Sequence, residues 1–137
     1  MKRVFLVTCF PVLFLACNSS STPQPPAKYE EKKASLEEIE KGSPLKFLRV
    51  QGSHHRNLVN QAVVTGEITN KATLVSYKNI TLRISWLDKD GAVIEKQKEV
   101  LDDVVKPNST IDFKIKTNHV KGTESVSMDI VSAIADK

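Results

Sequence analysis

The chain has 137 residues, 40% of them hydrophobic and 26% charged, with a formal net charge of +4. That length fits a single domain, or a domain with a processed segment. The composition excludes a disordered, collagen-like or coiled-coil protein. Lys2 and Arg3 lie in a segment expected to be removed, and setting them aside leaves 18 basic against 16 acidic residues. Without Lys and Arg clustered on one face, no nucleic-acid partner is expected.

Residues 1–17 divide into a basic tip (Lys2, Arg3), an apolar run from Val4 to Ala16, and Cys17. A basic tip ahead of roughly 7–15 apolar residues is the secretory signal pattern. The run is 13 residues long and interrupted by Pro11, whereas a spanning helix needs about 20. It is therefore expected to act as a signal and not as a permanent anchor.

Phe14-Leu15-Ala16-Cys17 resembles a bacterial lipobox, with Leu15, Ala16 and Cys17 fitting and Phe14 standing where Leu is usual. The resemblance implies that 1–16 is a lipoprotein signal peptide, cleaved before Cys17. It also implies a diacylglycerol thioether on that sulfur and a fatty acyl chain, such as palmitate, on the new amino group. At about 0.8 kcal/mol per buried methylene, one chain holds marginally and several hold stably. Asn18 follows the cysteine where similar lipoproteins retained at the inner membrane often have Asp. The resemblance thus implies the outer membrane of a Gram-negative cell envelope, with the leaflet left open. Cys9 leaves with the signal and Cys17 is lipidated, so the mature chain is expected to have no disulfide, cysteine nucleophile or Cys-based zinc site.

Residues 18–28, Ser- and Pro-rich with almost nothing to bury, are expected to form a flexible tether. The next segment, 29–41, is highly charged. Ser35-Leu36-Glu37-Glu38 reads as a capping box with Ser35 at N-cap and Glu38 at N3. Glu37 and Lys41 fall at i,i+4, and Gly42 can end the turn. Only Leu36 and Ile39 are apolar after Ala34, so a short, weakly docked helix with a solvated charge run is expected.

From Leu45 the period becomes two, with Phe47, Val50 and Leu58 opening the strand-like part. Val63 to Asn70 is rich in β-branched residues and ends in a turn signal. Between Tyr77 and Trp86 the pattern is strict: Ile80, Leu82, Ile84 and Trp86 on one face, Asn79, Thr81, Arg83 and Ser85 on the other. That is a strand buried on one side. Asp88-Lys89-Asp90-Gly91 supplies a turn and Ala92 to about Val100 the return strand. Pro107-Asn108-Ser109 is a second turn. Ile111, Phe113 and Ile115 alternate beyond it, and Val126, Met128 and Ile130 alternate beyond Gly122. Six or seven short strands with brief turns predict an all-β, immunoglobulin-like antiparallel sandwich.

Most of residues 45–133 resembles the FxLYD-type β-sandwich domains of bacterial envelope lipoproteins. The resemblance rests on Gly66-Glu67-Ile68-Thr69-Asn70, Tyr77-Lys78-Asn79-Ile80, the strand ending at Asp88 before Asp90-Gly91, and Pro107-Asn108-Ser109-Thr110 with Phe113. The name-giving segment falls on Ile84-Ser85-Trp86-Leu87-Asp88, where Asp88 matches by letter and Ile84, Trp86 and Leu87 by apolar character. It implies a non-catalytic extracytoplasmic module, without a defined ligand or active site.

His54, His55 and His119 are the only imidazoles. In a regular strand His54 and His55 would point to opposite faces; beside Gly52-Ser53 a loop is expected, from which both could chelate. Exposed loop histidines are favoured over a metal site, since no acidic cluster lies nearby in sequence. Asp88, Asp90 and Gly91 resemble the start of a calcium loop, yet its closing Glu would be Glu99, inside a strand. A hairpin turn is favoured. There is no Gly-x-Ser-x-Gly elbow, phosphate loop or dinucleotide pattern, and the few mature aromatics leave no stacking platform. Trp86 is expected in the core.

The expected organisation is a signal peptide (1–16), a lipidated Cys17 with tether and short helix (17–44), and a sandwich (45–137). The expected role is a lipid-anchored structural or protein-interaction module of the cell envelope. It meets the membrane through the lipid and an envelope protein by a surface still to be found, with no cofactor and no catalysis. The alternatives are a small-ligand or metal-binding lipoprotein using His54 and His55 and, behind it, a hydrolase.

Overall fold

The computed structural model describes residues 27–136. The signal peptide, Cys17 and the tether as far as residue 26 lie outside the described residues. Helix α1 runs Ala27–Gly42 and a single-turn α2 Pro44–Phe47. Six strands follow: β1 (Leu48–Arg56), β2 (Gln61–Asn70), β3 (Ser76–Leu87), β4 (Val93–Leu101), β5 (Thr110–Asn118) and β6 (Ser125–Asp136). They pair antiparallel in two sheets, β1-β2-β5 and β4-β3-β6. Placing the first, second and fifth strands in one layer and the rest in the other is the Greek-key arrangement of an immunoglobulin-like sandwich.

Two local expectations are corrected. Ser35 lies inside α1 and caps nothing. The Glu31-Lys32-Lys33-Ala34 stretch before it is built of strong helix formers, so the helix continues through it. Phe47 belongs to α2 and not to a strand, because Pro44 presets the dihedral of a helix's first turn.

The core lies between the layers. Trp86, Tyr77, Ile68, Ile80, Leu82, Ile84, Val64 and Val105 are fully buried, with Phe113 and Ile115 closing the far side. Val126, Met128 and Ile130 pack against them from β6, as the alternation requires. Tyr77 and Ile80 are both buried although three residues apart. Strict alternation would turn Tyr77 outward with Asn79. The ladder shifts register between Lys78 and Thr81, with Asn79 at φ 48°. That bulge re-aims Tyr77 into the core. β6 shifts opposite it, and its inward set passes from Ile130 to Ala133 and Ala135.

Two glycines are needed by packing. Gly52 faces Gly66 across β1 and β2, and a Cβ on Gly66 would lie 2.3 Å from the Gln51 carbonyl and 2.7 Å from Phe113 Cζ. The missing side chains make room for the phenylalanine ring. On β4, Glu95, Gln97 and Glu99 pair with Trp86, Ile84 and Leu82 and so stand on the inner side of an edge strand. Inward-pointing charges there oppose pairing with a further chain.

Trp86 is fully buried, whereas Arg83 on the other face makes a half-exposed 3.1 Å ion pair with Asp129. Trp86→Ala is expected to cost about 3–5 kcal/mol. Arg83→Ala should cost about half a kcal/mol or less. Urea melts of the chain made without residues 1–17 compare the two, and equal losses would contradict a one-sided strand.

Candidate functional site

The most constrained polar cluster lies where α1 meets the sandwich, and Asn70 organises it. This side chain ends β2 fully buried. Its amide donates to the carbonyls of Val75 and Val105 at 2.9 and 3.0 Å, and its oxygen accepts from Ala72 N at 2.8 Å. Asn108 N, at the left-handed turn position (φ 52°), donates to Ala72 O. The β2–β3 loop is thereby held with successive amides facing outward, forming a concave anion receptor.

Glu40 fills that receptor. Its Oε1 accepts from Thr73 N and Thr73 Oγ1 at 2.8 and 2.9 Å. Its Oε2 accepts from Leu74 N and Val75 N at 2.9 and 3.0 Å. The residue is 1% exposed. The Tyr77 hydroxyl donates to the Glu40 carbonyl at 2.8 Å, satisfying one of the helix's orphan terminal acceptors. Helix α1 is thus tied to the sandwich by side chain and backbone at one residue, while Leu36 and Ile39 stay 39% and 51% exposed. The charge run is a solvated face except at this position.

Burial alone would raise the Glu40 pKa, but the Thr73, Leu74 and Val75 hydrogen bonds outweigh it and hold the carboxyl below its ordinary value. Burial, and then the Glu40 charge, push the Tyr77 phenol up to about 12, so it stays a donor. Thr73 Oγ1 donating to Glu40 brings a hydroxyl and a carboxylate together. A carboxylate saturated by donors and depressed in pKa is a poor general base, which leaves the hydrolase reading without support at this pair.

The sequence-based candidates fall elsewhere. His54 and His55 lie in β1, not in a loop. β1 continues through Gly52 because the facing Gly66 lets the backbones approach closely. His54 opposes Val64 on the core side and His55 opposes Val63 on the other, so the two cannot chelate together. The His54 ring meets Trp86 edge to face, centroids 5.8 Å apart at 90°. The buried Trp86 Nε1 has no hydrogen-bond partner. Burial, then the charges of His119 and His55, hold His54 below its ordinary pKa. His119 contacts the Arg56 guanidinium. Among the described residues no three His, Cys, Asp or Glu side chains converge to hold a metal. Asp88 Oδ1 accepts from Asp90 N and Ala92 N, both at 2.9 Å, and so builds the hairpin turn. A depression of about 610 Å³ over Gly52 and Gly66, lined by Gln51, Ser53, Thr65, Glu67 and Asp112, is open to solvent. Among the described residues no helix is long and apolar enough to cross a membrane.

The chain matches no protein-family model and no curated protein. Among solved structures it is similar to the Salmonella enterica trimeric lipoprotein SadB. The identity is 10%, 80% of this chain and 75% of that one are covered, and the TM-score is 0.49.

Glu40, Asn70 and the Tyr77 hydroxyl were not singled out by sequence reasoning. One signal was available for Glu40: a carboxylate in a helix's last turn opposes the macrodipole, so its presence there calls for a partner elsewhere.

Glu40→Gln is expected to cost about 1–3 kcal/mol at neutral pH, because an amide group replaces an acceptor facing fixed donors. With its native pKa depressed, Glu40 stabilises fully above its unfolded value of about 4.3 and loses that contribution as pH falls through the native value. The gap between wild type and Glu40→Gln in urea melts should therefore close on acidification and stay constant from about pH 6 to about pH 8. Calorimetry with zinc is expected to give no saturable heat, given the opposed faces of His54 and His55. A micromolar site lost in the His54→Ala, His55→Ala pair would restore the metal reading.

Proposed function

We propose that the chain is a lipid-anchored β-sandwich of the bacterial cell envelope, acting as a structural or protein-interaction module without catalysis. The carrying observation is the Glu40 clamp. The helix that leads from the Cys17 segment is held at its last turn by four hydrogen bonds. A helix so fixed joins the segment that follows Cys17 to one end of the sandwich. The most constrained polar cluster among the described residues thus serves to hold a helix, and its depressed carboxyl is a poor general base.

The anchor itself rests on Leu15-Ala16-Cys17 and the apolar run before it. In this reading residues 1–16 are removed, Cys17 carries diacylglycerol and palmitate-like chains, and residues 17–44 join the lipid to the sandwich of 45–137. Asn18 supports the outer membrane of a Gram-negative cell. In this reading the sandwich is an FxLYD-type domain, a resemblance that rests on the segments Gly66–Asn70, Tyr77–Ile80 and Pro107–Thr110.

A fatty-acid probe fed to cells tests the anchor. Label is expected on the wild-type chain and lost in Cys17→Ser, which should remain uncleaved or turn soluble. Strong label on Cys17→Ser would remove the lipoprotein reading.

A further inference from the structure

The β1–β2 hairpin presents the most exposed apolar pair among the described residues, Leu58 at 106% and Val59 at 72%. The turn beneath them is rigid without their help. Asn57 Oδ1 accepts from Val59 N and Gln61 N at 3.1 and 2.9 Å, and Asn57 Nδ2 donates to Gln61 Oε1 at 3.1 Å. Asn57 N donates to Gln61 O and Asn60 N to Asn57 O, with Asn60 in the left-handed region at φ 62°. The fold therefore constrains Asn57, Asn60 and Gln61, and polar residues would serve equally at 58 and 59. Two aliphatic side chains held out on an ordered turn are a feature that folding does not require.

Two basic side chains, Arg56 and Lys116, lie beside the turn. His55, Val63 and Lys116 form one cross-strand row just below the turn, and Arg56 contacts His119 beside it. The tip lies at the end of β1 remote from α2. β1 leaves α2 at Leu48 and reaches the turn nine residues later, about 30 Å on at about 3.3 Å per residue.

We propose that the Leu58–Val59 tip is a protein-docking site, the aliphatic pair entering an apolar pocket whose acidic rim meets Arg56 and Lys116. It rests on the interaction-module reading and names the surface that module uses. An apolar anchor supplies most of the affinity and the charged collar chiefly steers the approach.

The test uses the full chain in its own membranes, with a photo-reactive residue at position 58, 98 or 112. The last two positions lie on the outer faces of the two sheets. Irradiation of intact envelopes is expected to give a protein adduct from 58 alone, weakened at high salt. The adducted protein is then purified and its binding to the full chain in detergent measured. Leu58→Ser with Val59→Ser should weaken binding by about tenfold or more, mainly in dissociation. Arg56→Glu or Lys116→Glu should lower the association rate and its salt dependence. Because Leu58 is fully exposed, the melting midpoint should not move, so lost binding is not lost folding. An adduct to lipid or to a second copy at position 58 would overturn the proposal, as would unchanged affinity in the serine variant. Protein adducts from 98 or 112 only would overturn the tip and leave the module reading standing. No protein adduct at any position would overturn both.

Discussion

Burying a carboxylate costs several kcal/mol unless donors replace the water it loses. Glu40 meets that requirement with three amides and a hydroxyl, all within 3.0 Å. Donors of this kind must already be in place when the charge arrives, because ordering a loop for one ligand would consume the gain. Asn70 and Asn108 provide the order by holding the β2–β3 loop from beneath. The attitude of α1 thus depends on a chain of polar contacts that begins at the end of β2 and finishes on one helix side chain.

The two ends of the sandwich divide the work. The helix end carries Glu40, Asn70 and Tyr77, whose polar atoms are satisfied and withdrawn from solvent. The opposite end carries the ordered, apolar β1–β2 tip and the histidines, with Trp86 behind His54. Between them the core needs no cross-link. Its buried aliphatics are interleaved from both layers, and the Gly52–Gly66 approach lets Phe113 seat fully. The unpartnered indole N–H of Trp86 is a cost that the surrounding apolar contacts offset.

Much of the fold was legible because alternation is a local property. Ile80, Leu82, Ile84 and Trp86 point inward whatever their partners, and the same holds for Val126, Met128 and Ile130. Turn chemistry at Asp88–Gly91 and Asn108 was legible for the same reason, since Gly91 and Asn108 adopt positive φ. Expectations failed where neighbouring or facing residues outweighed a local signal. His54 and His55 read as loop residues beside Gly52, yet the facing glycine on β2 draws that stretch into the sheet. Ser35 read as a cap, yet the helix formers before it carry α1 past it.

By itself the sequence determined the signal-like start, the position of Cys17, the all-β class and the faces of the central strands. These follow from composition and from spacings of two residues, which act within a few peptide units. Only the tertiary structure decided that Glu40 is a buried clamp, that Tyr77 turns inward through a bulge, and that Leu58 and Val59 are left exposed. The first two depend on which segments meet across 30 or more residues, as Glu40 meets Thr73 33 residues away. No local pattern encodes such a meeting, because its stability comes from a receptor assembled only when the sheets have closed.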